Sequence, residues 1–255
     1  KQRASPFIFV RPRMKTGVES NDEISDDRRA RRIQRQPQVG GNMTFWHNRW
    51  KTQQIGWHRA AYNEWRTKPW DSIGAPDGGD ILVPLCGKSL DMLWLADRGY
   101  AVSGLEMVEE AINAFVSENR LDVNSERVGD HIKHSSHPFT IHQGDFFEFP
   151  EGTVLADAWY DRAAMIAVPI ESRAAYVDQI RKLTTPNAVG LLITFAYPQD
   201  EMEGPPFALH DDHVMALFSD GFDVECLEQL DLGDEKDRGL SSVTSSVFRI
   251  SRRAD

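Results

Sequence analysis

From residue 80 onward, short apolar runs alternate with segments of helical period. That pattern requires successive βαβ units, and hence a mostly parallel sheet with helices on both faces. Asp80-Ile81-Leu82-Val83-Pro84 is a buried-strand run closed by proline, and Ser89 is placed to cap a helix whose Leu90, Leu93, Trp94 and Ala96 share one face before Arg98-Gly99 ends it. Further strands are expected at 100–105, 140–142, 156–160 and 189–195, and further helices at 108–119, 171–183 and 210–219. The final pair, 222–230 and 243–250, joined by the charged loop 233–239, reads as an antiparallel hairpin at a sheet edge. In such folds ligands gather at the carboxyl ends of the strands.

The 255 residues, 40% of them hydrophobic, suit one globular domain after a separate start. Residues 1–42 hold ten Lys/Arg against five Asp/Glu, within a chain whose net charge is −10. After Phe7-Ile8-Phe9-Val10 this segment shows no sustained period, so it is expected to be a disordered tail, with the domain running over 43–255. It reads either as sequence translated from upstream of Met43 or as a targeting peptide or RNA-binding arm. No run approaches the roughly 18 to 20 apolar residues of a membrane helix, and no leader-like apolar core follows a basic start. Cys86 and Cys226 stand far apart, which excludes a disulfide framework or a CxxC site and points to a reducing, cytoplasmic setting. The acidic balance argues against a nucleic-acid surface, and a monomer with a small-molecule partner and no membrane is expected.

The turn after the first strand, Pro84-Leu85-Cys86-Gly87-Lys88-Ser89, ends like a phosphate-binding loop. That motif needs glycine five residues before Gly87, where Leu82 stands. The dinucleotide fingerprint is missing too, because Gly87 is the only glycine between residues 80 and 98. What remains is a tight turn and, 21 residues beyond Leu85, Glu106 at the end of the next strand. A carboxylate there accepts hydrogen bonds from ribose hydroxyls, and a nucleoside without phosphate needs no further glycine.

"FWHNRWKTQQIGWH" (45–58), "ILVPLCGKSLDMLWLADRGYAVSGLE" (81–106), "WYDRAAMIAV" (159–168) and "GPPFAL" (204–209), in this order, resemble the thiopurine S-methyltransferase family, its bacterial branch in particular. The resemblance implies a Rossmann-like class I methyltransferase: α/β, with a seven-stranded, mostly parallel sheet, an antiparallel C-terminal hairpin and helices on both faces. It also implies S-adenosyl-L-methionine as cofactor, a nucleoside of the phosphate-free kind. Trp46 falls on the family's first cofactor-contacting tryptophan, Leu85 on the leucine of its turn, Glu106 on its ribose-binding acid and Arg162 on the arginine after its fourth strand. Trp57 occupies an aromatic position that meets cofactor or substrate, and Asp145 a position beside the adenine. An arginine that some relatives carry early in the last hairpin loop is not matched at Asp234.

The same residues have readings of their own. Trp46, Trp50 and Trp57 form an aromatic group suited to a sulfonium cation, with Trp50 the expected core residue and the segment a lid. Arg162 would orient an anionic thiolate, unless it merely pairs with Asp161. Phe207, in the rigid Gly204-Pro205-Pro206 turn, is a candidate wall of the acceptor pocket. His131, His134 and His137 are placed in a loop, and with His210 and His213 are not expected to bind metal. Asp211 and Asp212 suit a helix start. The reaction expected is methyl transfer to a thiol of thiopurine type, or to selenium or tellurium species. A halide or thiocyanate methyltransferase, an NAD-linked oxidoreductase and a non-catalytic cofactor-binding module are the alternatives.

Overall fold

The computed structural model describes residues 43–58, 68–235 and 238–253, so the tail expected at 1–42 lies outside the described residues. Helix α1 (Met43–Lys51) precedes the sheet. Then follow β1 (Asp80–Val83), α2 (Asp91–Asp97), β2 (Ala101–Glu106) and α3 (Glu109–Glu118). Strands β3 (Asn124–Val128), β4 (His131–Ser136) and β5 (Phe139–Gln143) come next, followed by β6 (Ala156–Arg162), α4 (Arg173–Lys182) and β7 (Thr184–Ile193). The described chain closes with α5 (Asp211–Leu217), β8 (Phe222–Glu235) and β9 (Leu240–Arg252).

The sheet runs β3-β4-β5-β2-β1-β6-β7-β9-β8. Its five central strands, β5 to β7, are parallel, and both edges are antiparallel. Side chains alternate between two cores, as the pleat demands. Ile81 and Val83 of β1 pack with Met92 and Leu95 of α2 and Phe115 of α3, while Leu82 joins Tyr176 and Ile180 of α4 and Val214 of α5 on the other face. Apolar residues on both faces are what a central parallel strand requires. Gly190 of β7 lies opposite Trp159 of β6, and a Cβ there would come within 1.8 Å of the indole. Glycine thus leaves room for a buried ring that stacks on Phe218 at 5.9 Å.

One feature of the register positions the site. β1 pairs with β6 only at Ile81↔Ala158 and Leu82↔Trp159, whereas β6 continues beside β7 as far as Arg162↔Ile193. β1 therefore leaves β6 unpaired over its last residues, and a crevice opens at the carboxyl ends where strand order reverses.

The described residues form nine strands, two more than expected, because residues 124–136 make a hairpin instead of a loop. All five β3 residues are exposed, so the segment carries no apolar alternation by which to recognise it. The strands are held by pairing around the two-residue turn Gly129-Asp130, with Gly129 at φ +59°. This also corrects the placing of His131 and His134 in a loop. His134 meets Ser125 and Gln143, and His131 meets His142 of β5, Nε2 to Nδ1 at 3.3 Å. Among the described residues no three potential metal ligands come together.

His142 is 5% exposed, and burial, with the neighbouring His131, Lys133 and His134, lowers its pKa to about 4. The folded state holds it neutral, whereas the unfolded chain takes up a proton below about 6.5, so its stabilisation is present above that pH and lost as pH falls toward about 4. The wild type should lose up to about 3 kcal/mol more stability between pH 7 and pH 4.5 than His142→Phe. Denaturant unfolding of both proteins across this range checks the expectation, and a stability difference independent of pH contradicts it.

Candidate functional site

The crevice is roofed by α1. Trp50, 4% exposed, packs on Val108 and Ala111 at the start of α3, with Trp46 and Trp57 against it. Trp57 meets Trp46 edge-on at 5.4 Å and Trp50 at 6.1 Å. His47 Nδ1 lies 3.1 Å from Glu110 Oε2, tying the helix to α3. The segment is thus a packed cover rather than a loose strap.

Beneath it the turn 84–89 is fixed from several directions. Leu85 and Gly87 adopt φ of +46° and +54°, the left-handed region. The Cys86 amide donates to the Leu105 carbonyl at 3.0 Å. The Gly87 amide donates to Glu106 Oε2 and the Val108 amide to Oε1, each at 2.8 Å. A Cβ on Gly87 would stand 3.0 Å from the Trp50 ring, so glycine is required both for the turn and for the closeness of the lid. Glu106 is only 6% exposed; burial raises its pKa, and the two amides work against that shift. Each of its oxygens uses one acceptor site on the backbone and keeps another for a ligand.

Across the crevice, at the end of β6, Arg162 donates from Nε to Asp91 Oδ2 and from Nη2 to Ser89 Oγ, the latter at 3.1 Å. Asp91 opens α2 and is 3% exposed. Asp161 does not pair with its neighbour. Its carboxylate accepts from the amides of Ala164 at 3.1 Å and Met165 at 3.2 Å and from the Tyr176 hydroxyl at 2.7 Å. Burial still lifts its pKa to about 6. These bonds hold a turn in which Ala163 has φ +68°, a conformation that alanine resists and that sets where β6 ends.

Two connected spaces result. The first is lined by Trp46, Trp57, Leu85, Gly87, Glu106 and Arg162 among others. The second, of about 380 Å³, is walled by Phe45, Ile166, Phe195, Met202, Pro205 and Pro206, and shares Trp46, Trp57, Arg162 and Ala163 with the first. Five of the residues singled out from the sequence, Trp46, Trp57, Leu85, Glu106 and Arg162, therefore meet in one place.

Two do not. Asp145 accepts from the Phe147 amide at 3.0 Å, starting a short 3-10 turn, and borders a separate groove beside His142 and Asp80. Phe207 is not on the chamber wall, where Pro205 and Pro206 stand instead; its amide donates to the Ile166 carbonyl at 2.7 Å and its ring packs against Gly204. Sequence reasoning missed Asp91, Arg49 and Arg238, all of which line these spaces. Asp91 carried a usable signal, an acid two residues after Ser89, the expected cap of the helix that follows the first strand.

A phosphate-free nucleoside with a sulfonium fits this lining. Lys88, the cation of the turn, is committed to Glu118 at 2.6 Å, which leaves no lysine for a phosphate, while Glu106 offers its remaining acceptor sites and the indoles offer faces or edges to a cation.

The comparisons agree with that chemistry. The family described as Thiopurine S-methyltransferase (TPMT) matches residues 42–253. The thiopurine S-methyltransferase of Shewanella pealeana is 40% identical over 215 residues, covering 82% of this chain and 98% of that protein. That of Shewanella baltica is 42% identical over 189 residues, 74% of this chain and 87% of the relative. Among solved structures, the Burkholderia thailandensis 1,6-didemethyltoxoflavin-N1-methyltransferase, bound to S-adenosylhomocysteine, has a TM-score of 0.55 at 13% identity, covering 95% and 94% of the two chains. A TehB-like SAM-dependent methyltransferase from Corynebacterium glutamicum has a TM-score of 0.52 at 13% identity, covering 83% and 98%. The fold is therefore that of the class I methyltransferases, and the chain belongs to the thiopurine S-methyltransferase family of S-adenosyl-L-methionine-dependent enzymes.

Proposed function

We propose that this enzyme methylates the sulfur of thiopurine-type aromatic thiols, with selenium or tellurium species as further soft acceptors. The observation that carries the reading is the shared wall: Trp46, Trp57, Arg162 and Ala163 border both spaces, so a nucleophile in the second chamber faces a ligand in the first. A chamber of about 380 Å³ with mostly apolar walls suits a flat ring and is far larger than a halide ion needs.

When bound, the cofactor supplies a methyl group on a positively charged sulfur, which takes back the electron pair of the breaking bond while the thiolate's pair forms the new one. Glu106 would hold the ribose hydroxyls, its position fixed by Gly87 and Val108. The backbone at Leu85 and Gly87 would lie along the nucleoside, and Trp46 and Trp57 would cover the sulfonium, contributing about 0.5 to 2 kcal/mol through their rings. Asp145 is assigned the adenine edge from the family resemblance alone, since its carboxylate here caps the 3-10 turn and borders a separate groove. Arg162 would orient the acceptor's anionic sulfur. Aromatic thiols of this type ionise near neutral pH, so no general base is assigned, and catalysis rests on alignment and exclusion of water.

We read the working unit as a monomer acting on a small molecule. No helix among the described residues is long and apolar enough to cross a membrane, and of the two cysteines Cys86 is buried and Cys226 exposed, neither in a disulfide. We read the setting as the cytoplasm, with no nucleic-acid or membrane partner.

Glu106→Ala should weaken cofactor binding by about 1.5 to 3 kcal/mol, the worth of hydrogen bonds to a charged group. Titration calorimetry with S-adenosylhomocysteine checks this, and unchanged affinity in a folded variant removes Glu106 from the ribose role. Arg162→Ala should lower kcat/KM for an acidic aromatic thiol by about 2 to 4 kcal/mol and cofactor affinity much less, with Arg162→Lys recovering part of the loss because it keeps the charge that balances Asp91. Lost cofactor affinity with normal turnover at saturation would reassign the arginine to cofactor binding, and full activity would remove it from the site.

A further inference from the structure

The acceptor chamber is charged in a way the reaction at sulfur does not account for. Three guanidinium groups, of Arg49, Arg162 and Arg238, line it, and among the described residues no Asp or Glu does, although the chain carries 39 acidic residues against 29 Lys and Arg. Arg162 is balanced by Asp91 from the adjoining space. Arg238 lies over the Phe195 ring at 5.8 Å. Arg49 is different. Its Nη1 donates to Gln54 Oε1 at 3.2 Å and its guanidinium lies 5.0 Å from the centre of the Phe45 ring. Both partners are neutral, and among the described residues no carboxylate forms an ion pair with Arg49.

An amide and a ring orient the guanidinium without cancelling its charge. The remaining N–H groups of such a fork match the two oxygens of a carboxylate. Gln54 and Phe45 line the same chamber, so the charge and the groups that aim it share one wall.

From this we infer that the preferred acceptor is a flat apolar thiol bearing a carboxylate apart from its sulfur, and that Arg49 is the residue that reads the carboxylate. The inference rests on the assignment of this chamber to the acceptor. Arg162 and Arg49 then divide the work, one facing the reacting sulfur and the other the second anionic group. The remaining walls, Ile166, Met202 and Leu232 among them, take the ring.

The test compares 4-mercaptobenzoate with its methyl ester, a pair that differs at the carboxyl group and shares the ring and thiol. The ratio of their kcat/KM values is internal to each protein, so a partly unfolded variant does not distort it. Wild-type enzyme should favour the acid by about tenfold or more, the worth of one charged hydrogen bond. Arg49→Ala should bring the ratio close to one, and Arg49→Lys should restore part of it. A wild type that does not prefer the acid, or a preference that survives Arg49→Ala, overturns the inference while leaving thiol methylation intact. Failure of the wild type to methylate either thiol overturns the proposed function and this inference with it.

Discussion

The ion pair between Arg162 and Asp91 is the contact on which the site's geometry depends. It joins the end of β6 to the first turn of α2 across the crevice that opens where β1 leaves β6. Ser89 closes the triangle by accepting from Arg162 and from the Asp91 amide, so the turn that presents Leu85 and Gly87 and the arginine that borders both spaces are one connected unit. Both charges are largely removed from water, and removing one partner of such a pair costs about 3 to 5 kcal/mol, mainly because the other is left unpaired. The pair sets a position more than it adds stability. It also leaves Arg162 balanced, whereas the partners of Arg49 among the described residues, Gln54 and Phe45, are neutral.

Glu106 plays the corresponding part on the cofactor side. A carboxylate buried to this degree would tend to take up a proton, and burial does raise its pKa, yet the Gly87 and Val108 amides hold the anion in a fixed direction. Because a Cβ on Gly87 would press on Trp50, Glu106, the turn and the aromatic cover are mutually positioned. A sulfonium needs little else from the protein: faces of indole, exclusion of water, and a nucleophile held in line.

Much of this was legible in the residues. The apolar run at 81–83, the single-glycine turn and the acid that ends the second strand place the crevice, because each answers to a local requirement of backbone or burial. The helix boundaries differ by a residue or two, as at Glu109–Glu118 against 108–119, where the flanking Val108 and Asn119 serve as the caps. The β3–β4 hairpin was invisible to apolar pattern since its outer strand is wholly exposed, though Gly129-Asp130 signalled its turn. Asp91, Arg49 and Arg238 escaped notice for another reason: they are charged residues whose meaning comes from distant segments, 71 residues apart in sequence for Asp91 and Arg162. Phe207 shows the converse, an aromatic in a suggestive motif whose backbone, not its ring, is tied to Ile166 beside the chamber.

The central claim is that Asp91 and Arg162 act as one unit that aligns the acceptor with the cofactor. It is tested most directly by a double-mutant cycle of Asp91→Asn and Arg162→Gln, read as kcat/KM for one aromatic thiol at saturating cofactor. The account predicts that the double variant is no slower than the worse single variant, with a coupling of about 1 to 3 kcal/mol. Losses that simply add would contradict it.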